Sequence, residues 1–120
     1  TKSLQEGSFV GYGCTFKAPR DMQVAVLSVG YYEGYPRLAG QGQSYVLIKG
    51  VRCPIVGRIC MNMMMVDITH LEDVMPGTKV TLIGSDGGEK ITAEDLALWS
   101  QSIQYEIVTR LCPQIPRLVV

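Results

Sequence analysis

The chain has 120 residues, enough for one domain with a modest core. Its residues are 47% apolar, and 11 Lys and Arg balance 11 Asp and Glu to a formal net charge of zero. That balance excludes an intrinsically disordered chain, and with it a protein that holds nucleic acid or an anionic membrane surface mainly by charge.

Residues 1–6 lack the apolar core of a signal peptide, and no apolar run reaches the length of a membrane span. With Thr1 where an initiator methionine would stand, more sequence is expected upstream. The first strong strand signal is 22–29, β-branched and apolar between Pro19 and Gly30. Residues 45–48 and 51–56 read as a hairpin around Lys49-Gly50, with Gly50 supplying the positive φ of a tight turn. A third strand is predicted over 58–68. Alternation would put Ile59, Met61, Met63 and Met65 on one face, and Arg58, Cys60, Asn62, Met64 and Val66 on the other. Both faces are largely apolar, so burial on both sides is expected, and the methionines read as core filling.

Residues 79–83 read as a fourth strand, closed by a turn at 85–88. Thr92 with Asp95 three residues on resembles a capping box at the head of a helix over 93–99. A second helical stretch is predicted over 105–110, ended by Pro113, and a last strand over 116–120. The expected fold is mainly β: a small, closed, Greek-key-like β-barrel over 1–120, with one or two short helices near the C-terminus.

Cys14, Cys53, Cys60 and Cys112 form no CxxC pair and sit among apolar or small residues. They read as buried, reduced thiols of a cytoplasmic protein, not as disulfides or a metal set. The single histidine, His70, lacks neighbouring ligands and reads as a solvated loop residue, so no metal site is expected.

Three glycine-flanked segments carry the remaining chemistry: 10–13 (Val-Gly-Tyr-Gly), 29–37 (Val-Gly-Tyr-Tyr-Glu-Gly-Tyr-Pro-Arg) and 57–62 (Gly-Arg-Ile-Cys-Met-Asn). Each sets a donor or a reactive group where the backbone turns sharply and another surface can approach. Tyr12 between two glycines would serve as a base only beside a cation or a proton relay, and no such partner is evident along the sequence. By burial preference alone it is a packing tyrosine. The 30–37 loop is either a binding loop or a surface turn of amphipathic tyrosines; residue types leave both open. Arg58 could receive a carboxylate or phosphate, with the Met61 N–H at close range, or it could pair internally with Asp67 or Glu33.

In this order and spacing the segments resemble the C-terminal domain of alanine racemase, the bacterial pyridoxal-phosphate enzyme. The likeness runs through 54–61, Met65-Val-Asp67, 77–84, Ile91-Thr92, 103–107 and 115–117, and covers essentially the whole chain. It implies an N-terminal (β/α)8 barrel outside this chain, whose lysine holds pyridoxal phosphate as a Schiff base. It also implies a homodimer in which this domain lends a second base, a tyrosine, to the partner subunit's active site. Tyr12 matches that tyrosine, and Met61 the position whose backbone N–H holds the substrate carboxylate. Tyr31 matches the tyrosine that narrows the substrate's way in, Arg37 and Arg58 match arginines lining it, and Tyr105 matches the residue that bonds the cofactor phosphate. The implied reaction interconverts L- and D-alanine, with D-alanine used for peptidoglycan in the cell wall.

Two departures qualify the likeness. The family's Cys-Met-Asp motif is here Cys60-Met61-Asn62, which keeps size and hydrogen-bonding capacity but loses a charge; altered substrate affinity is the expected effect. The five lysines, Lys2, Lys17, Lys49, Lys79 and Lys90, lie in no motif like the cofactor-binding one, so the isolated chain is expected to be inactive and to hold no covalent cofactor. A serine racemase of the same family and a non-catalytic β-barrel interaction module are the alternatives.

Overall fold

The computed structural model describes residues 1–40 and 42–120. In chain order the strands are β1 (Lys2–Leu4), β2 (Phe9–Val10), β3 (Phe16–Lys17), β4 (Met22–Leu27), β5 (Tyr45–Ile48), β6 (Val51–Val56), β7 (Met64–Asp67), β8 (Val80–Thr81), β9 (Gly84–Asp86) and β10 (Glu89–Ile91). Two helices follow, α1 (Ala93–Trp99) and α2 (Gln104–Thr109), and short 3-10 turns occupy Tyr12–Cys14 and Arg37–Gly40. None of the helices described is long and apolar enough to cross a membrane.

Six strands form one antiparallel sheet in the order β1-β4-β7-β6-β5-β8, flanked by the β2–β3 and β9–β10 hairpins. The fold is mainly β with two short C-terminal helices, as expected. Closure is not: among the described residues β1 and β8 end the sheet and do not pair with each other. The strands are only two to six residues long, and the edges are left to loops and hairpins.

The β5–β6 hairpin turns through Lys49 and Gly50, both at positive φ (52° and 75°), the backbone that a two-residue turn requires. Its register sets Val46 opposite Cys53 and Ile48 opposite Val51. Val46, Leu47, Ile48, Val66, Ile91 and Leu96 have essentially no exposed surface and form the main core, which α1 and α2 cap with Leu96, Ala97 and Ile107. The predicted capping box is present. The Asp95 N–H donates to Thr92 Oγ1 at 3.1 Å, and the Thr92 N–H donates to Asp95 Oδ2 at 2.7 Å. Trp99 then meets Tyr45 edge-on with centroids 4.9 Å apart, seating α1 on β5.

A second, smaller core of Leu4, Ala18, Met22, Val24 and Val56 lies beneath the β2–β3 hairpin, which covers it with Val10 and Phe16. This cluster holds the Tyr12 turn on the sheet.

Two predicted strands and the reading of the cysteines come out differently. The long strand over 58–68 is confined to β7, because Gly57 at φ 74° breaks the run and Arg58–Met63 turns outward as a loop. Met61 and Met63 are therefore exposed, while Ile59 and Met64 are buried. The last strand over 116–120 does not form, and Leu118, Val119 and Val120 are almost wholly exposed. Of the four free cysteines only Cys53 is buried; Cys14 is exposed, and Cys60 and Cys112 are half-buried. Burial pushes the Cys53 thiol up to about 11, with the Asp67 charge adding to it.

Candidate active site

The loop 57–62 is the hub against which the other two glycine-flanked segments pack. The turn Tyr12–Cys14 joins β2 to β3, and left-handed backbone at Gly11 (φ 84°), Gly13 (φ 74°) and Cys14 (φ 49°) closes it within three residues. A Cβ on Gly11 would lie 3.6 Å from Gly57 Cα and from the Arg58 nitrogen, and one on Gly13 would lie 3.3 Å from Arg58 Nη1. The Tyr12 turn thus rests on Gly57-Arg58, and the Tyr12 side chain stays 72% exposed.

The 30–37 loop lies against Cys60 and Met61. Tyr31 N–H donates to the Cys60 carbonyl at 3.1 Å, and Tyr32 N–H to the Met61 carbonyl at 2.9 Å. Gly30 is required by this approach, since a Cβ there would sit 2.0 Å from the Cys60 oxygen. Glu33 spans the same joint: its Oε2 accepts from the Gly30 N–H at 2.8 Å and its Oε1 from Asn62 Nδ2 at 3.1 Å. The Gly30 N–H, then the Asn62 amide, hold the Glu33 carboxyl below the usual carboxylate range. Cys60 N–H donates to the Met63 carbonyl at 2.9 Å, which closes the loop. The Met61 N–H has no acceptor among the described residues.

Arg37 lies in the 3-10 turn that follows, exposed; Gly40 at the end of that turn would place a Cβ 3.0 Å from the Ile59 nitrogen. Tyr105, 69% exposed, sits in the first turn of α2. The far end of α2 reaches the same loop, since a Cβ on Gly34 would meet the Arg110 carbonyl at 2.4 Å and Cys112 N–H donates to the Glu33 carbonyl at 3.1 Å.

Neither internal partner considered for Arg58 is engaged with it. Asp67 pairs with Arg20 at 3.0 Å, and Glu33 is bound to Gly30 and Asn62. Burial raises the Asp67 carboxyl, but the Thr69 hydroxyl and N–H, then Arg20, outweigh it and hold the group low. Arg58 and Asn62 lie on an exposed loop, not on one strand face as the alternation implied. Glu33 is the residue that sequence reasoning misplaced. Its distance of three residues from Gly30 was the available signal, the spacing at which a side chain returns to cap its own loop.

Tyr105 on α2 is one of several exposed phenols among the described residues, with Tyr12, Tyr31 and Tyr32, able to donate to a phosphate-bearing cofactor. None of the five lysines lies on α2 or within the 30–37 and 57–62 segments. That donor set suits the margin of a cofactor site whose covalent anchor lies elsewhere.

Residues 1–119 match the family model "Alanine racemase, C-terminal domain". The alanine racemase of Leptospira interrogans is 50% identical over 114 residues, covering 94% of this chain and 29% of that protein. The crystal structure of alanine racemase from Enterococcus faecalis superposes with a TM-score of 0.86 at 37% identity, covering 97% of this chain and 30% of that one. A histidine racemase of Leuconostoc mesenteroides does so with a TM-score of 0.87 at 34% identity (99% and 31% covered). The alanine racemase of Bartonella henselae, solved with covalently bound pyridoxal phosphate, gives 0.85 at 31% identity (99% and 32% covered). The chain thus spans just under a third of the length of the relatives it matches. Matched across nearly its whole length in sequence and in backbone, it belongs to the alanine racemase C-terminal domain family.

Proposed function

We propose that this chain is the C-terminal domain of a pyridoxal-phosphate-dependent amino-acid racemase that interconverts L- and D-alanine, with Tyr12 as one of two opposed bases. The observation that carries the reading is the Tyr12 turn: a 72% exposed phenol on a strained, glycine-framed turn, seated against the loop that holds Met61. A tyrosine that served packing alone would be covered.

Pyridoxal phosphate, when bound, supplies the electron withdrawal that acidifies the substrate α-carbon. The Tyr12 Oη takes the α-proton from the L-enantiomer and returns it in the reverse direction. Inversion needs a base on each face, and the second is a lysine of the (β/α)8 barrel domain. The Met61 N–H, which has no acceptor among the described residues, receives the substrate carboxylate. Tyr31, Arg37, Arg58 and Asn62 line the way in, with the two arginines offering partners to the carboxylate of the zwitterionic amino acid. Tyr105 donates its hydroxyl to the cofactor phosphate. As the family resemblance implies, Tyr12 works in the active site of the partner subunit of a homodimer, a role its exposure on this domain allows. The expected setting is cytoplasmic, with D-alanine passing to peptidoglycan.

The match to a histidine racemase favours a second reading on substrate alone, in which the same domain serves a racemase of another amino acid, serine included. The test is Tyr12→Phe in the complete protein, assayed from each enantiomer. Turnover should fall by about two to four orders of magnitude. Undiminished turnover would leave a non-catalytic module as the better reading.

A further inference from the structure

We propose that Glu33 is a positioning residue for the substrate carboxylate: it clamps the 30–37 loop to Asn62 and thereby aims the Met61 N–H. The proposal rests on the racemase reading and adds to it a residue and a reason for Asn62.

The geometry fixes the peptide between Cys60 and Met61 from several sides. The C=O and N–H of one trans peptide point in opposite directions. Tyr31 N–H holds the Cys60 carbonyl toward the 30–37 loop at 3.1 Å, so the Met61 N–H of the same peptide is turned away from that loop. Tyr32 N–H holds the next carbonyl, that of Met61, at 2.9 Å. These two bonds alone would let the joint rock about the line between them. Glu33 removes that freedom: Oε2 takes the Gly30 N–H at 2.8 Å, just before the paired residues of one segment, and Oε1 takes Asn62 Nδ2 at 3.1 Å, just after those of the other. Its own carbonyl accepts from the Cys112 N–H at 3.1 Å, which ties the clamp to the chain beyond α2.

Charge gives Asn62 its purpose. An ionised carboxylate accepts hydrogen bonds and donates none, so Glu33 needs a donor at position 62. An aspartate there would set two carboxylates within hydrogen-bonding distance of each other, and the clamp would open or require a shared proton. The amide supplies the donor, and the negative charge of Glu33 is spent on two N–H groups beside the place where a second carboxylate must bind.

The experiment is a cycle of variants in the complete protein, with KM and kcat for alanine measured separately. Glu33→Ala should raise KM by roughly tenfold, the loss of one charged hydrogen bond's worth of alignment, and leave kcat within about threefold. Asn62→Asp should raise KM in the same way. The double variant Glu33→Gln with Asn62→Asp restores one acceptor facing one donor in reverse, and should bring KM back to within about threefold of the parent. A KM for Glu33→Ala within twofold of the parent, or a fall in kcat at constant KM, overturns the proposal. If Glu33→Ala fails to fold, the Asn62→Asp variant and the double variant decide; a double variant no better than Asn62→Asp overturns it. The racemase reading is judged apart, by parent activity and its loss in Tyr12→Phe. A parent inactive on alanine removes that reading and this proposal with it, whereas an active parent with an unmoved KM removes the proposal alone.

Discussion

At the scale of single residues, the site depends on positions where nothing but hydrogen fits. Gly30 is the clearest: a Cβ there would lie 2.0 Å from the Cys60 oxygen and 2.5 Å from that of Met61, both backbone atoms that no rotamer change can move. Gly30→Ala should therefore destabilise the fold by about 3 kcal/mol or more and detach the 30–37 loop from its hub. Gly88, with no atom within 4 Å of the same construction and no positive φ, is the internal control. Gly88→Ala should stay within about 0.5 kcal/mol of the parent in the same denaturant titration. Equal losses for the two would show that the close approach at Gly30 does not set the cost.

At the scale of elements, the Tyr12 turn depends on what anchors the hairpin that carries it. Just after β3, Arg20 donates to Asp67 at the end of β7 at 3.0 Å and to the Thr69 hydroxyl at 3.2 Å. The Asp67 carboxyl is held low in the fold, so its contribution is fully present above the unfolded carboxylate value, about 4, and is lost as pH falls through the lower folded value. Melting temperature should therefore drop on acidification below about pH 4, and Asp67→Asn should lower it at neutral pH while flattening that acid limb. An acid limb unchanged by the substitution would place the proton uptake on another carboxylate.

Elements with a local code were legible in the sequence. The Lys49-Gly50 turn, the Thr92–Asp95 capping box and the α1 span each need only neighbours within four residues. The 58–63 stretch misled because its alternating methionines mimic a two-sided strand, while its true course is set by N–H groups of Tyr31 and Tyr32 about thirty positions earlier. The apolar tail at 116–120 likewise pairs with no strand among the described residues. The residues of the candidate site were named from resemblance, but the Glu33–Asn62 joint was not, because it exists only once two loops meet.

For the molecule as a whole, large apolar side chains stand exposed at many separate places. Tyr12, Met61, Leu98, Ile103, Tyr105 and Leu118 are each more than half exposed, spread over loops, helices and tail. Under the proposed reading much of this surface meets a barrel domain. The chain by itself should then neither develop the absorbance of a covalently held cofactor on addition of pyridoxal phosphate nor racemise alanine. Either signal from the isolated chain would require a lysine of its own to serve. The hub at 57–62 carries a further consequence for how such a protein can diversify. Under the proposed reading, what it offers a bound amino acid is a main-chain N–H, held in place by the N–H groups of Tyr31 and Tyr32 and by the Glu33 clamp, and point mutation cannot delete the N–H of any residue except by making it proline. Such a hub grips the part that all amino acids share and stays indifferent to the part that differs, which leaves the choice of substrate to be written in another domain.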